Sequence, residues 1–145
     1  MSLAELADGH YWVNEPGLVF DKPLKLIGDE NNAANVVVEM SGCLTWTARG
    51  GWIEGVTFRR PKISTGVAVS SPMLTMNNES RVDMIQCVFD NDGSTGSVVT
   101  LSGSGYKGSW KDTVVRNGGG NGIEILGDVT LELKTVSVLY VMLES

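Results

Sequence analysis

Apolar and polar residues alternate in short runs, and one pattern, apolar-x-x-small-x-apolar, recurs along the chain. Ile53, Val56 and Phe58 show it, as do Met84, Cys87 and Phe89; Trp110, Thr113 and Val115; and Leu133, Val136 and Val138. Leu24-x-Leu26 fits its last part. Its final apolar residue falls at positions 26, 58, 89, 115 and 138, intervals of 32, 31, 26 and 23. A second series, Val36-x-Val38, Val67-x-Val69, Val99-x-Leu101 and Ile123-x-Ile125, steps by 31, 32 and 24. A third, weaker series runs from Leu44-x-Trp46 to Leu74-x-Met76 and on to Val129-x-Leu131, with an unclear copy around Tyr106.

Alternation at period 2 predicts strands with one buried face, and strands this short bury that face only when repeats stack. Three strands per repeat, with Gly, Asn, Asp and Ser between them, predict an all-β chain. Its architecture is a right-handed parallel β-helix, a three-sheet solenoid of about five rungs, in one domain over residues 1–145. The Leu/Asn consensus of leucine-rich repeats is absent, and the repeat is too short for a propeller blade of about 40–45 residues. No helix is expected beyond a turn at residues 3–7. Cys87 shares its column with Val56 and Thr113, an inward position. Asn91 and Asn117, each two past a ladder residue, suggest a stacked amide ladder.

Eighteen Gly with only 4 Pro fit many tight corners. A net charge of −6 argues against a duplex-binding surface, because nucleic-acid affinity rests on neutralising phosphates. No apolar run approaches the roughly 18 residues that span a bilayer. The start carries no basic and then apolar leader, and Cys43 and Cys87 have neither metal nor redox spacing. The expectation is a reduced, intracellular (cytoplasmic) protein, read as a fragment of a longer chain.

Gly9-His10-Tyr11-Trp12-Val13, followed by Lys22-Pro23-Leu24-Lys25-Leu26-Ile27-Gly28, resembles the opening rung of pectin-lyase-like β-helix repeats. Gln86-Cys87-Val88-Phe89-Asp90-Asn91 and Asn121-Gly122-Ile123-Glu124-Ile125 are similar to their interior rungs. The resemblance covers about residues 9–138. Within that superfold the chain is most similar to the β-helix regions of eukaryotic F-box-only and SHC-binding proteins. There the β-helix serves as a scaffold that binds a partner or substrate protein. The same fold also carries lyases, hydrolases and copper-maturation proteins, so the resemblance speaks to fold more than to function. No F-box occurs in these 145 residues, and ubiquitin-ligase membership does not follow.

Under an enzyme reading, a polysaccharide hydrolase needs paired carboxylates as acid and base. The candidates are Asp83, Asp90 and Asp112, with Asp92 beside them; the competing reading is a solvated face and an Asp-rich turn. Asp90-Asn91-Asp92-Gly93 hints at a calcium loop but lacks the later ligands of an EF-hand. Calcium is expected only under the lyase alternative, and otherwise no cofactor. Arg59-Arg60-Pro61-Lys62 is the one basic cluster, suited to an acidic glycan, a phosphate or an acidic peptide if it is not simply a solvated turn. The single histidine, His10, reads as a turn residue, and the six scattered Met argue against copper. Trp46 and Trp110 fall on apolar columns; Trp12 and Trp52 are free to stack on a sugar or anchor a protein. Asn78-Glu79-Ser80 is a sequon that matters only in a secreted parent.

The expected function is therefore a non-catalytic recognition module that binds a protein partner through Arg59, Arg60, Lys62 and Trp52. The alternative is a carbohydrate-active enzyme, or its carbohydrate-binding remnant, using Asp83, Asp90 and Asp112; a third is a plain spacer. The apolar stretch 136–145 either caps the open end of the core or marks a boundary that a further rung or partner covers. Open solenoid ends also invite end-to-end self-association.

Overall fold

The computed structural model describes residues 2–13, 17–60, 72–76, 80–91, 98–117 and 122–139, the side chains of 102–107 and 125–130 excepted. The chain is nearly all β. Among the described residues fifteen strands run in order: β1 (Ser2–Glu5), β2 (Gly9–Val13), β3 (Gly17–Phe20), β4 (Leu24–Ile27), β5 (Val36–Met40), β6 (Cys43–Trp46), β7 (Trp52–Glu54) and β8 (Thr57–Arg59). They continue with β9 (Leu74–Met76), β10 (Asp83–Ile85), β11 (Val88–Asp90), β12 (Val99–Lys111), β13 (Val114–Arg116), β14 (Ile123–Lys134) and β15 (Ser137–Leu139). A 3-10 turn, Ala33–Asn35, interrupts them. Where the sequence suggests a turn at residues 3–7, Ser2–Glu5 instead extend as β1 and pair with Leu24–Ile27.

Each of these strands pairs in parallel with its copy one coil along, so three parallel sheets stack into a β-solenoid. The first sheet carries β1, β4, β7 and β10; the second carries β2, β5, β8, β11, β13 and β15; the third carries β3, β6 and β9. Strands β12 and β14 are long enough to serve twice. Each begins in the third sheet and ends in the first sheet of the next coil, with a register shift between Ser104 and Tyr106 in β12.

The repeated motif is the core. Ile53, Val56 and Phe58, then Met84, Cys87 and Phe89, then Trp110, Thr113 and Val115 are all buried. Phe58 and Phe89 stack with ring centroids 5.1 Å apart, and Trp46 and Trp110 lie fully inside. The series 58, 89, 115 and 138 is one ladder.

Two assignments of the sequence pattern change. Leu26 pairs with Ile53, in the first sheet, and the neighbour of Phe58 is Val38. Leu44-x-Trp46 leads through Leu74-x-Met76 to Val99-x-Leu101 and Ile123-x-Ile125, while Val129 pairs with Tyr106 inside the fused strands. Val67-x-Val69 lies outside the described residues. The slip arises because apolar-x-apolar is the same word in all three sheets, and only the path of the chain tells them apart.

The corner between the first and second sheets explains the spacing. In four coils it is two residues long with a left-handed first residue, and in three of them that residue is not glycine: Gln86, Asp112 and Thr135 have φ of 53°, 50° and 54°. Gly55 holds the same position with φ 68°, and a Cβ there would meet the backbone oxygen of Asp29. In the second coil the corner is expanded into a lip over residues 28–35. Asp29 anchors it by accepting from the backbone N–H of Asn31 at 2.9 Å and of Asn32 at 3.1 Å, and from Asn35 Nδ2 at 3.0 Å. These hydrogen bonds, the Asn35 amide foremost, hold the Asp29 carboxyl below its ordinary range. Thr57 Oγ1 donates to Ala33 O at 2.9 Å and fastens the lip over the next coil.

Candidate functional site

Of the four residues expected to bind a partner, the three that are described do not form one surface. Arg59 is exposed on the outer face of the second sheet, 3.8 Å from Glu39. Arg60, one residue on, points inward and is completely buried. Its Nη2 donates to the carbonyls of Gly42 (2.8 Å) and Pro72 (3.1 Å), and its Nη1 to Asn91 Oδ1 (3.2 Å). Strand alternation sends adjacent residues to opposite faces, so two consecutive arginines cannot share one. Lys62 lies outside the described residues. Trp52 sits on the first sheet, away from Arg59.

The three carboxylates are also divided. Asp83, on β10, accepts from the backbone N–H of Ser109 at 3.0 Å and pairs with Arg81 at 3.4 Å. Asp90, on β11, is buried and accepts from Arg116 Nε at 3.2 Å and Asn117 Nδ2 at 2.8 Å. Asp112 is an exposed corner residue. Asp90 and Asp112 line a common groove that excludes Asp83. Asn117 gives its amide to Asp90, while Asn91 accepts from Arg60. Of the hinted calcium loop, Asp92 and Gly93 lie outside the described residues. No group of three or more metal-ligating side chains occurs among the described residues.

His10 is exposed, with Nδ1 3.7 Å from Glu39. Trp12 is exposed on the first coil. Cys87 is buried as its column required, donating to Ile53 O at 3.4 Å, and burial pushes its thiol up to about 12. Cys43 is half-buried, with Sγ 3.2 Å from Thr75 Oγ1. Ser80 of the sequon is buried, and Asn78 lies outside the described residues. No helix among the described residues is long and apolar enough to cross a membrane.

The structure assembles a basic cleft that the sequence did not announce. Lys25, Trp52 and Asp83 stand side by side on the outer face of the first sheet. The preceding corners bring Arg49 and Arg81 to the same place, and the cleft between them measures about 460 Å³. Lys25 Nζ lies 5.6 Å from the Trp52 ring centroid, and Trp52 Nε1 donates to Glu54 Oε2 at 2.9 Å. Gly51 makes the corner passable: a Cβ there would strike the buried Trp46 ring. The cleft thus gathers three cations, one carboxylate and one indole in a chain of net charge −6. Arg49 and Arg81 are 32 residues apart, close to the 31 that separate the register partners Trp52 and Asp83, whereas Lys25 lies 27 residues before its own register partner Trp52. A periodic search for cations, and not for runs of them, would have paired Arg49 with Arg81 but not added Lys25.

A second concavity of about 400 Å³ lies over the second sheet. The lip residues Asn31, Asn32, Ala33 and Ala34 form one wall, and Gln86, Asp112 and Arg116 lie across from it. No family model, no curated protein and no solved structure matches the chain.

Proposed function

We propose that this chain is a recognition module that binds an acidic segment of a partner protein in the cleft at Trp52. One observation carries the reading: Lys25, Arg49 and Arg81, from three successive coils, line one cleft with Trp52 although the chain as a whole is acidic. Local positive potential on a negative protein selects anionic ligands and steers them to one place. The indole adds apolar area of the kind that anchors interfaces. The solenoid holds these groups on rigid strands, as expected of the right-handed, pectin-lyase-like scaffold that the sequence resembles. The enzyme alternative draws less support, since Asp83 and Asp90 are each tied to a guanidinium and lie on different sheets.

A labelled oligoglutamate peptide titrated into the protein tests the reading. Saturable binding that weakens at least tenfold in Arg81→Glu or Lys25→Glu supports it; absent binding, or binding indifferent to both variants, removes the cleft. Oligogalacturonate forms a parallel arm, and its cleavage would transfer the assignment to a carbohydrate-active enzyme.

A further inference from the structure

Among the described residues one row on the outer face of the second sheet runs straight across the coils: Trp12, Glu39, Arg59, Asp90, Arg116 and Leu139 are successive register partners. At about 4.8 Å per strand the row is roughly 24 Å long. Its charges alternate in sign about their centre, and its two ends are apolar and exposed, Trp12 by 64% and Leu139 by 57%. The row has a property that its individual pairs do not suggest. Reversed end for end, it is its own complement: Trp12 meets Leu139, Glu39 meets Arg116, and Arg59 meets Asp90, each twice.

We propose that this face binds a second copy of the chain, face to face and antiparallel. The two-fold axis stands midway between β8 and β11 and reverses the order of the coils. Such an isologous interface requires a self-complementary patch, and this row is one. Each carboxylate retains acceptor sites beyond its partners in its own chain. The arginines that would reach across are the exposed members, 44% for Arg59 and 46% for Arg116. The pattern also rejects competitors. A parallel arrangement sets like charge on like, as does an antiparallel one shifted by a single coil.

Shape agrees with charge. The lip at residues 31–35 rises over the second and third coils, and the groove beside it extends over the fourth and fifth. The same rotation carries the second coil of one copy onto the fifth of the other, and the third onto the fourth. Each lip then faces the other copy's groove. The proposal concerns a different face from the Trp52 cleft and stands or falls without it.

Sedimentation velocity across a concentration series up to about 1 mM, the range of weak transient interfaces, tests it. The expected result is a monomer–dimer equilibrium that shifts toward monomer as salt rises. Arg59→Asp, at an exposed site, should raise the dissociation constant at least tenfold by setting a new carboxylate against Asp90 of the other copy. Asp90→Arg alone should do the same by opposing two arginines. Mixing the two variants restores opposite charges across the centre of the row and should restore the dimer. Should Asp90→Arg fail to fold, Trp12→Asp, also at an exposed site, must weaken the dimer. A wild-type chain that stays monomeric throughout overturns the proposal. So does a dimer that Arg59→Asp leaves intact, which would place the contact at the solenoid ends.

Discussion

Arg60 Nη1 donates to Asn91 Oδ1 at 3.2 Å, and the two residues hold the same place on successive coils, each two past a stacked phenylalanine. Asn117 is the next member of that column. Arg60 is thus a core residue that ties the second-sheet corner to the carbonyls of Gly42 and Pro72. Burial lowers its guanidinium from the ordinary value, with Cys43 opposing, and it remains a cation.

Removing that side chain leaves buried acceptors unmet, at about 1–3 kcal/mol each. Arg60→Met should therefore cost about 3 kcal/mol or more in urea unfolding. Arg59→Ala, at a half-exposed ion pair, should stay within about 1 kcal/mol. Equal effects of the two changes would contradict the inward placement of Arg60.

Phe89 stacks on Phe58 at the centre of the solenoid, and both are buried. Phe89→Ala should lower stability by about 4 kcal/mol, the transfer and cavity cost of a buried ring. Leu139→Ala, on the exposed strand β15, should change it by less than about 0.5 kcal/mol. Chemical denaturation of both variants checks the contrast.

Gly55 and Gln86 share one corner position in successive coils, both left-handed. Gly55→Ala combines about 1–2 kcal/mol of left-handed strain with a collision against Asp29, so a loss above about 2 kcal/mol is expected. Gln86→Gly should be nearly neutral, because relief of strain is offset by the freer unfolded chain, about 0.5–1 kcal/mol. A thermal melt of each variant decides.

The two cysteines should behave differently. Cys43 is half-buried and should react with a thiol reagent in the folded protein, whereas Cys87 should react only after unfolding. Burial raises the Cys87 thiol from the ordinary 9.0 to about 12. Above pH 9 the unfolded chain loses this proton while the folded chain keeps it, so folding stability falls as pH rises toward 12. The slope approaches about 1.4 kcal/mol per pH unit. Cys87→Ala should flatten that part of the curve.

The sequence by itself determined the architecture. Strand alternation and the motif shared by Phe58, Phe89 and Val115 are local regularities, and short strands with one apolar face have no stable state except a stack. It also identified Cys87, Trp46 and Trp110 as interior. Only the tertiary structure decided which copies are neighbours, because the lip at residues 28–35 lengthens one corner and displaces Leu26 from the ladder that its spacing suggested. The same path turns Arg60 into the core, separates Asp83 from Asp90, brings Lys25, Arg49 and Arg81 to one cleft, and lines up Glu39, Arg59, Asp90 and Arg116. The cleft and the row are meetings of residues about one coil apart in sequence. Their nearness is fixed by the parallel register between strands, and no residue's immediate neighbours encode it.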